Sequence, residues 1–216
     1  LSSVVFYAFW NIPYILILVL SIIINYYLGR YLYKNKDKKI LVLACFINLS
    51  ILGFFKYINF GIETINQFLI LSDLALSITE LSIILPIGIS FYTFQNISYV
   101  VDMYFSRYKP YDSKIKFSIY ISFFPQLIAG PIVRGDYFQK QINRLVNFNW
   151  KLISTGASIF IIGVFKKVVL ADQASVFADA AFNANNEFGS FLTLVGVFAF
   201  SFQIYFDFSG YTDMAR

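Results

Sequence analysis

Between residues 85 and 105 an apolar stretch long enough to cross a bilayer carries Ser90, Thr93, Gln95, Asn96, Ser98 and Asp102. At 100° per residue, Gln95, Ser98 and Asp102 fall within about 60° of one another on a helix. An unpaired polar group in hydrocarbon costs several kcal/mol, so this stripe must face other protein or a water-filled cavity. Amide, hydroxyl and carboxylate groups held at that depth are functional candidates by default. Gln95, Asn96, Ser98 and Asp102 are therefore expected to shape the wall of a polar passage inside the membrane.

Three further constellations carry potential chemistry. Residues 120–134 read Y-I-S-F-F-P-Q-L-I-A-G-P-I-V-R. Pro125 removes a backbone donor, and Gly130-Pro131 ends any helix before Arg134. Gln126 beside the break either satisfies freed carbonyls or, with Arg134, lines an approach for a polar or anionic donor. The guanidinium of Arg134 suits phosphate or carboxylate because its fork donates in pairs; the alternative is an ordinary interfacial anchor. Lys166 and Lys167 lie near the outer end of an apolar span, where snorkelling to the headgroups is the plainer account. Adjacent side chains project about 100° apart, so at least one is expected to enter the bundle and meet a carboxylate such as Asp172. The last constellation, F-D-F-S-G-Y-T-D-M-A-R, places Asp207, Ser209, Tyr211 and Asp213 around Gly210, which permits a kink or close helix approach. Asp207 and Asp213 are six apart and on different helix faces, which favours pairing with Lys or Arg over a two-carboxylate acid/base pair.

Other chemistries are excluded. There is no histidine, the commonest general base and metal ligand, and the one cysteine, Cys45, sits in an apolar span as a small hydrophobe. No metal site, bound cofactor, nucleophile elbow or phosphate loop can be assembled.

The elements that position these residues must be membrane helices. The chain is 58% hydrophobic and 13% charged, against about a quarter charged in a soluble domain. Its net charge of +5 sits in clusters between apolar spans, which argues for topology and against nucleic acid. Three basic clusters, at residues 30–39, 107–116 and 134–151, belong in the cytoplasm by the positive-inside rule. The path this predicts is 12–28 inward, 40–57 outward, an interfacial helix and loop over 59–80, and 81–105 inward. Residues 115–133 begin and end on one side, so they must be re-entrant or broken. Residues 152–170 then run outward, 171–189 lie outside, and 190–208 return. The expected fold is an all-α polytopic membrane helix bundle with a re-entrant or broken central segment, residues 1–216 forming one membrane-embedded domain. A Leu at position 1 and the lack of a polar tail after Arg216 lead us to expect part of a longer protein.

With these motifs in view, the chain resembles the membrane-bound O-acyltransferase superfamily, nearest its alginate O-acetylation and teichoic-acid D-alanyl transfer branch. Residues 85–104 (L-P-I-G-I-S-F-Y-T-F-Q-N-I-S-Y-V-V-D-M-Y), 124–134 (F-P-Q-L-I-A-G-P-I-V-R), 163–172 and 205–216 carry the resemblance, in this order and spacing. It implies a partial acyltransferase fold around a central funnel. It further implies transfer of an acyl group, acetyl being the better match, from a cytoplasmic donor such as acetyl-CoA or an acyl carrier to hydroxyls of an extracytoplasmic polysaccharide. An extracytoplasmic acetyltransferase partner and a multi-pass location in a bacterial inner membrane are implied with it. The catalytic histidine implied lies beyond Arg216, so that role is carried by no residue here, and this segment alone is expected to be inactive. Asp207, Ser209, Tyr211 and Asp213 would brace the helix leading to it. A transporter or flippase for a polar or lipid-linked solute is the competing expectation, and a non-catalytic scaffold a third.

Overall fold

A computed structural model of the chain describes residues 3, 7, 9, 12–72, 76–127, 133–144, 148–183 and 189–215, with Phe124 and Gln126 as backbone only. The elements are α1 (Ile12–Asn35), α2 (Lys38–Leu71), α3 (Ile89–Tyr104), α4 (Lys114–Ser122), α5 (Phe124–Leu127), α6 (Gly135–Ile142), α7 (Trp150–Phe165), a π-helical turn (Lys166–Ala171), α8 (Asp172–Asn183) and α9 (Ser190–Met214). No strand occurs among the described residues, so the all-α expectation holds. Four helical stretches are long and apolar enough to cross a membrane: α1, α2, Trp150–Asn183 and α9. The chain is a multi-pass membrane protein. It forms two compact units, one of residues 1–128 and 132–144, the other of 129–131 and 145–216.

In the first unit, α1 and α2 form a helical hairpin whose turn is only Lys36 and Asp37. Lys36 adopts the left-handed conformation (φ 53°), and the Asp37 carboxylate caps α2 by accepting from the Lys39 N–H at 2.8 Å. α1 buries Leu18, Ser21, Ile22, Asn25, Tyr26, Gly29 and Leu32, a three-and-four spacing on one face, while Leu16, Val19, Leu20 and Ile23 stay exposed. An exposed face that apolar fits lipid better than water. Between α1 and α2, Asn25 and Asn48 exchange amide bonds at 3.0 and 2.8 Å, and each also donates to the carbonyl one turn back.

Two expectations about span boundaries are corrected. α2 does not end near Tyr57 but runs on to Leu71, since no proline interrupts residues 58–71. Its 34 residues extend about 51 Å at 1.5 Å each, well beyond the ~30 Å hydrocarbon core. Residues 81–105 are likewise not one span. Residues 76–86 are non-helical, and α3 begins only after Pro86 and Gly88. Gly88 has φ +71°, and a Cβ there would meet the Leu127 carbonyl oxygen at 2.4 Å. α3 thus has 16 residues, about 24 Å, and it packs against both α1 and α2.

The non-helical segment is pinned to α2 by two asparagines that act as backbone surrogates. Asn66 exchanges bonds with Ile78 (2.8 and 2.8 Å), and Asn59 with Leu81 (2.7 and 3.0 Å). Seven residues of helix span about 10.5 Å and three residues of extended chain about 10 Å. The two repeats match.

The broken segment behaves as its sequence predicts where it is described. α4 stops at Phe123, and a separate short helix carries Pro125 near its start, where a missing N–H costs little. Gly130-Pro131 lies outside the described residues.

The second unit is a long helical hairpin. α7, the π-turn and α8 run as one continuous stretch from Trp150 to Asn183, packed against α9. Residues 171–183 continue the helix, since nothing between Val164 and Asn183 breaks it. The seam is made by small residues. A Cβ at Gly163 would meet the Gly210 oxygen at 2.6 Å, and one at Gly196 would meet the Ala181 Cβ at 2.1 Å. Close backbone approach of this kind drives helix association in membranes.

Candidate functional site

In the first unit the polar stripe of α3 faces protein. Gln95, Asn96, Thr93 and Asp102 are buried. Gln95 Nε2 donates to the Tyr120 carbonyl of α4 at 3.0 Å, and Asn96 Nδ2 donates to Ser21 Oγ of α1 at 3.0 Å. Asp102, at the last turn of α3, accepts from Arg107 Nη1 at 2.8 Å; the carboxylate is 5% exposed and the guanidinium 54%. The Arg107 N–H also donates to the Asp102 carbonyl at 3.0 Å, so the pair closes the helix end. Ser98 is half-buried. Arg134 is exposed at the start of α6, where its carbonyl accepts from the Phe138 N–H. The Gln126 side chain lies outside what is described.

Below the stripe an aromatic core holds the basic end of the unit. Tyr99 and Phe117 rings lie 4.5 Å apart, and Tyr111 stacks on Tyr120 at 5.5 Å. The Tyr111 hydroxyl donates to the Gly135 carbonyl (2.8 Å) and the Tyr120 hydroxyl to the Val133 carbonyl (3.0 Å), fixing α6. Burial raises the phenol pKa of Tyr108 and Tyr111 above the usual range; Tyr111 uses its proton on Gly135, while the Tyr108 hydroxyl has no partner among the described residues. The exposed Asp112 carboxyl is held below its usual value by the Lys116 hydrogen bond.

In the second unit the charged residues form two networks within the hairpin. Lys166 Nζ reaches Asp213 Oδ2 at 2.6 Å and Ser209 Oγ at 3.0 Å. Lys167 Nζ reaches Asp172 at 3.0 Å and Asp207 at 2.8 Å. Both lysines open the π-turn, whose wider winding carries them to two different carboxylate sets. Tyr211 is half-buried. Asp207 and Asp213 thus serve different cations.

Comparison with known proteins bears directly on these motifs. No protein-family model matches the chain. It is 37% identical over 245 residues to the peptidoglycan O-acetyltransferase of Helicobacter pylori, which covers 100% of this chain and 46% of that protein. It is 36% identical over 221 residues to the probable alginate O-acetylase AlgI of Pseudomonas aeruginosa (100% and 42%) and 35% identical over 219 residues to that of Azotobacter vinelandii (99% and 43%). The chain belongs to the membrane-bound O-acyltransferase superfamily. It spans less than half the length of these relatives.

The structure shows partners that sequence reasoning missed. Arg107, five residues beyond Asp102, went unassigned because it stands past the helix end among other basic residues. Asn25 and Asn48 carried a weak signal, one amide in each of two consecutive spans. Asn59 and Asn66 repeat at seven, which matches an extended strand of three residues only once that strand is known. Three clefts among the described residues are lined by residues other than the stripe: one lies at the basic end of the first unit, and two apolar grooves lie between α8 and α9.

Proposed function

We propose that the chain is part of a membrane-bound O-acyltransferase that moves an acyl group, acetyl as in the named relatives, from a cytoplasmic donor to hydroxyls of an extracytoplasmic cell-surface polysaccharide. Acetyl-CoA or an acyl carrier serves as donor, the membrane is the bacterial inner membrane, and an extracytoplasmic acetyltransferase partner completes delivery. The observation that carries this reading is similarity over the full chain to proteins named as acetylases. In the transfer, the acyl–sulfur bond of a thioester donor breaks, an ester C–O bond forms, and the thiol leaves with the hydroxyl proton.

The residues of this chain supply environment. Gln95, Asn96, Ser98 and Asp102 line the passage, with Gln126 and Arg134 at its cytoplasmic approach. Lys166 pairs with Asp213 and Ser209, and Lys167, also held by Asp172, pairs with Asp207, which fixes the register of α9; Tyr211 lies on the same helix. No histidine occurs in the 216 residues, so the general base the family implies is assigned to none of them. Preorganised donors around a carbonyl that gains negative charge are the largest contribution a scaffold of this kind makes. The transporter or flippase alternative gains no specific observation.

Two measurements test the reading. Deleting the gene should remove O-acetyl ester from the cell-surface polymer; unchanged ester content rejects acyl transfer. Asp102→Ala and Asp207→Ala in the full-length protein should each lower ester content while membrane levels hold, and full activity in both rejects their assignment.

A further inference from the structure

At the basic end of the first unit a cleft of ≈ 800 Å³ opens between the last turns of α1 and the loop after α3, lined by Arg30, Tyr31, Tyr33, Lys34, Lys109 and Asp112 among others. Its charge is unbalanced. Asp112 is engaged by Lys116 at 3.2 Å, whereas Lys34 and Lys109 have no carboxylate partner among the described residues. Arg30 is oriented by the wall itself. Its Nη1 donates to the Tyr26 hydroxyl (3.0 Å) and the Tyr111 carbonyl (3.4 Å), and its other three N–H donors have no acceptor among the described residues. Both walls are fixed. Lys36 donates to the Met103 carbonyl (3.0 Å) and to Ser106 Oγ, tying the α1–α2 turn to the exit of α3. Tyr26 donates to the Asp112 carbonyl at 3.4 Å, tying α1 to the opposite wall.

Lysine at a helix C-terminus has a simpler account, since it offsets the helix dipole and reaches lipid headgroups. That account covers Lys34. It does not cover a guanidinium one turn earlier that lines the same cleft with three N–H donors unused among the described residues, nor a lysine arriving from a separate loop. We infer that this cleft binds a phosphate group: Arg30 supplies the paired donors of its fork, Lys34 and Lys109 supply charge, and the Tyr31 and Tyr33 phenols flank them. The same chemistry is presented by the headgroup of an anionic lipid and by a soluble phosphate or diphosphate. By the positive-inside rule the cleft opens to the cytoplasm. The inference does not depend on the acyl-transfer reading.

The test uses the full-length protein and two probes: inorganic pyrophosphate titrated by calorimetry in a zwitterionic detergent, and phosphatidylglycerol retention against phosphatidylcholine in nanodiscs by native mass spectrometry. At least one probe should bind, and the K34Q/K109Q variant should weaken it roughly 30-fold, from about 1 kcal/mol for each lysine. The K34R/K109R variant should restore binding, and both should keep the parent's thermal midpoint. Pyrophosphate binding assigns the site to a soluble phosphate; selective phosphatidylglycerol retention without it assigns the site to lipid. Binding of neither probe, or equal binding by K34Q/K109Q and the parent, overturns the inference.

Discussion

At Gly163 the backbones of α7 and α9 approach closely, which gives the sharpest test of how the second unit is held. A Cβ at this position would lie 2.6 Å from the Gly210 carbonyl oxygen and 2.9 Å from the Met214 nitrogen. Both neighbours are backbone and cannot rotate away. Ordinary contact begins at 3.4 Å, so α7 and α9 must part by about 0.8 Å, and overpacking of that kind costs about 1–3 kcal/mol. The same separation carries the Lys166–Asp213 contact from 2.6 Å toward about 3.4 Å, the edge of hydrogen-bonding range. Gly156, two turns earlier on the same helix, has nothing within 4 Å of the place a Cβ would occupy. Alanine there should be neutral or stabilise by up to about 1 kcal/mol through helix propensity. Thermal midpoints of the full-length protein, followed by the monodisperse fraction after heating in detergent, should fall for Gly163→Ala and hold or rise for Gly156→Ala. Equal midpoints for the two variants would refute the close-packed seam.

Two further outcomes follow from the first unit. Arg107→Gln leaves the buried Asp102 carboxylate without its donor and should destabilise by about 1.5–3 kcal/mol, whereas Asp102→Asn should cost less because the charge it leaves unpaired, the Arg107 guanidinium, is open to solvent; the two thermal midpoints check the order. Asn25→Leu or Asn48→Leu alone strands a buried amide, while the double leucine variant removes both, so a double-mutant cycle should return a coupling of about 0.6–2 kcal/mol, and zero coupling would contradict the reciprocal bonds.

How far the sequence alone carries depends on which physical signal each residue sends. The stripe of Gln95, Ser98 and Asp102 was legible because polar groups facing hydrocarbon are costly; Gln95 and Asp102 are buried in protein and Ser98 is half-buried. The break before Pro125 was legible because proline acts locally. The start of α3 was not, although Pro86 and Gly88 stand in plain view. A hydropathy window averages over the apolar extended residues 76–86 and the apolar helix, and it cannot distinguish them. The pinning by Asn59 and Asn66 decides between those states, and it is a contact between segments 12 and 22 residues apart. The π-turn sent no signal at all. Its residues K-K-V-V-L-A have ordinary helix-compatible chemistry, and the extra residue is fixed by where the two lysines must reach across the hairpin.

Asn96 separates a packing role from a functional one most cleanly. It is fully buried, its Nδ2 donates to Ser21, and its Oδ1 has no partner among the described residues. An unbonded buried amide oxygen costs about 1–3 kcal/mol, while the single bond to Ser21 contributes about 1 kcal/mol. On stability alone a smaller apolar residue would do as well, so Asn96→Ala should leave the thermal midpoint unchanged or raise it. A polar passage needs that oxygen, because with the Tyr92 and Tyr99 hydroxyls it is one of the buried acceptors on this face of α3 with no partner among the described residues, available to a water or to the donor of a passing group. Asn96→Ala should therefore lower O-acetyl ester formation at unchanged protein level. If instead the midpoint falls and activity per folded molecule holds, the oxygen is satisfied within the bundle, and Asn96 belongs to helix packing and not to the passage.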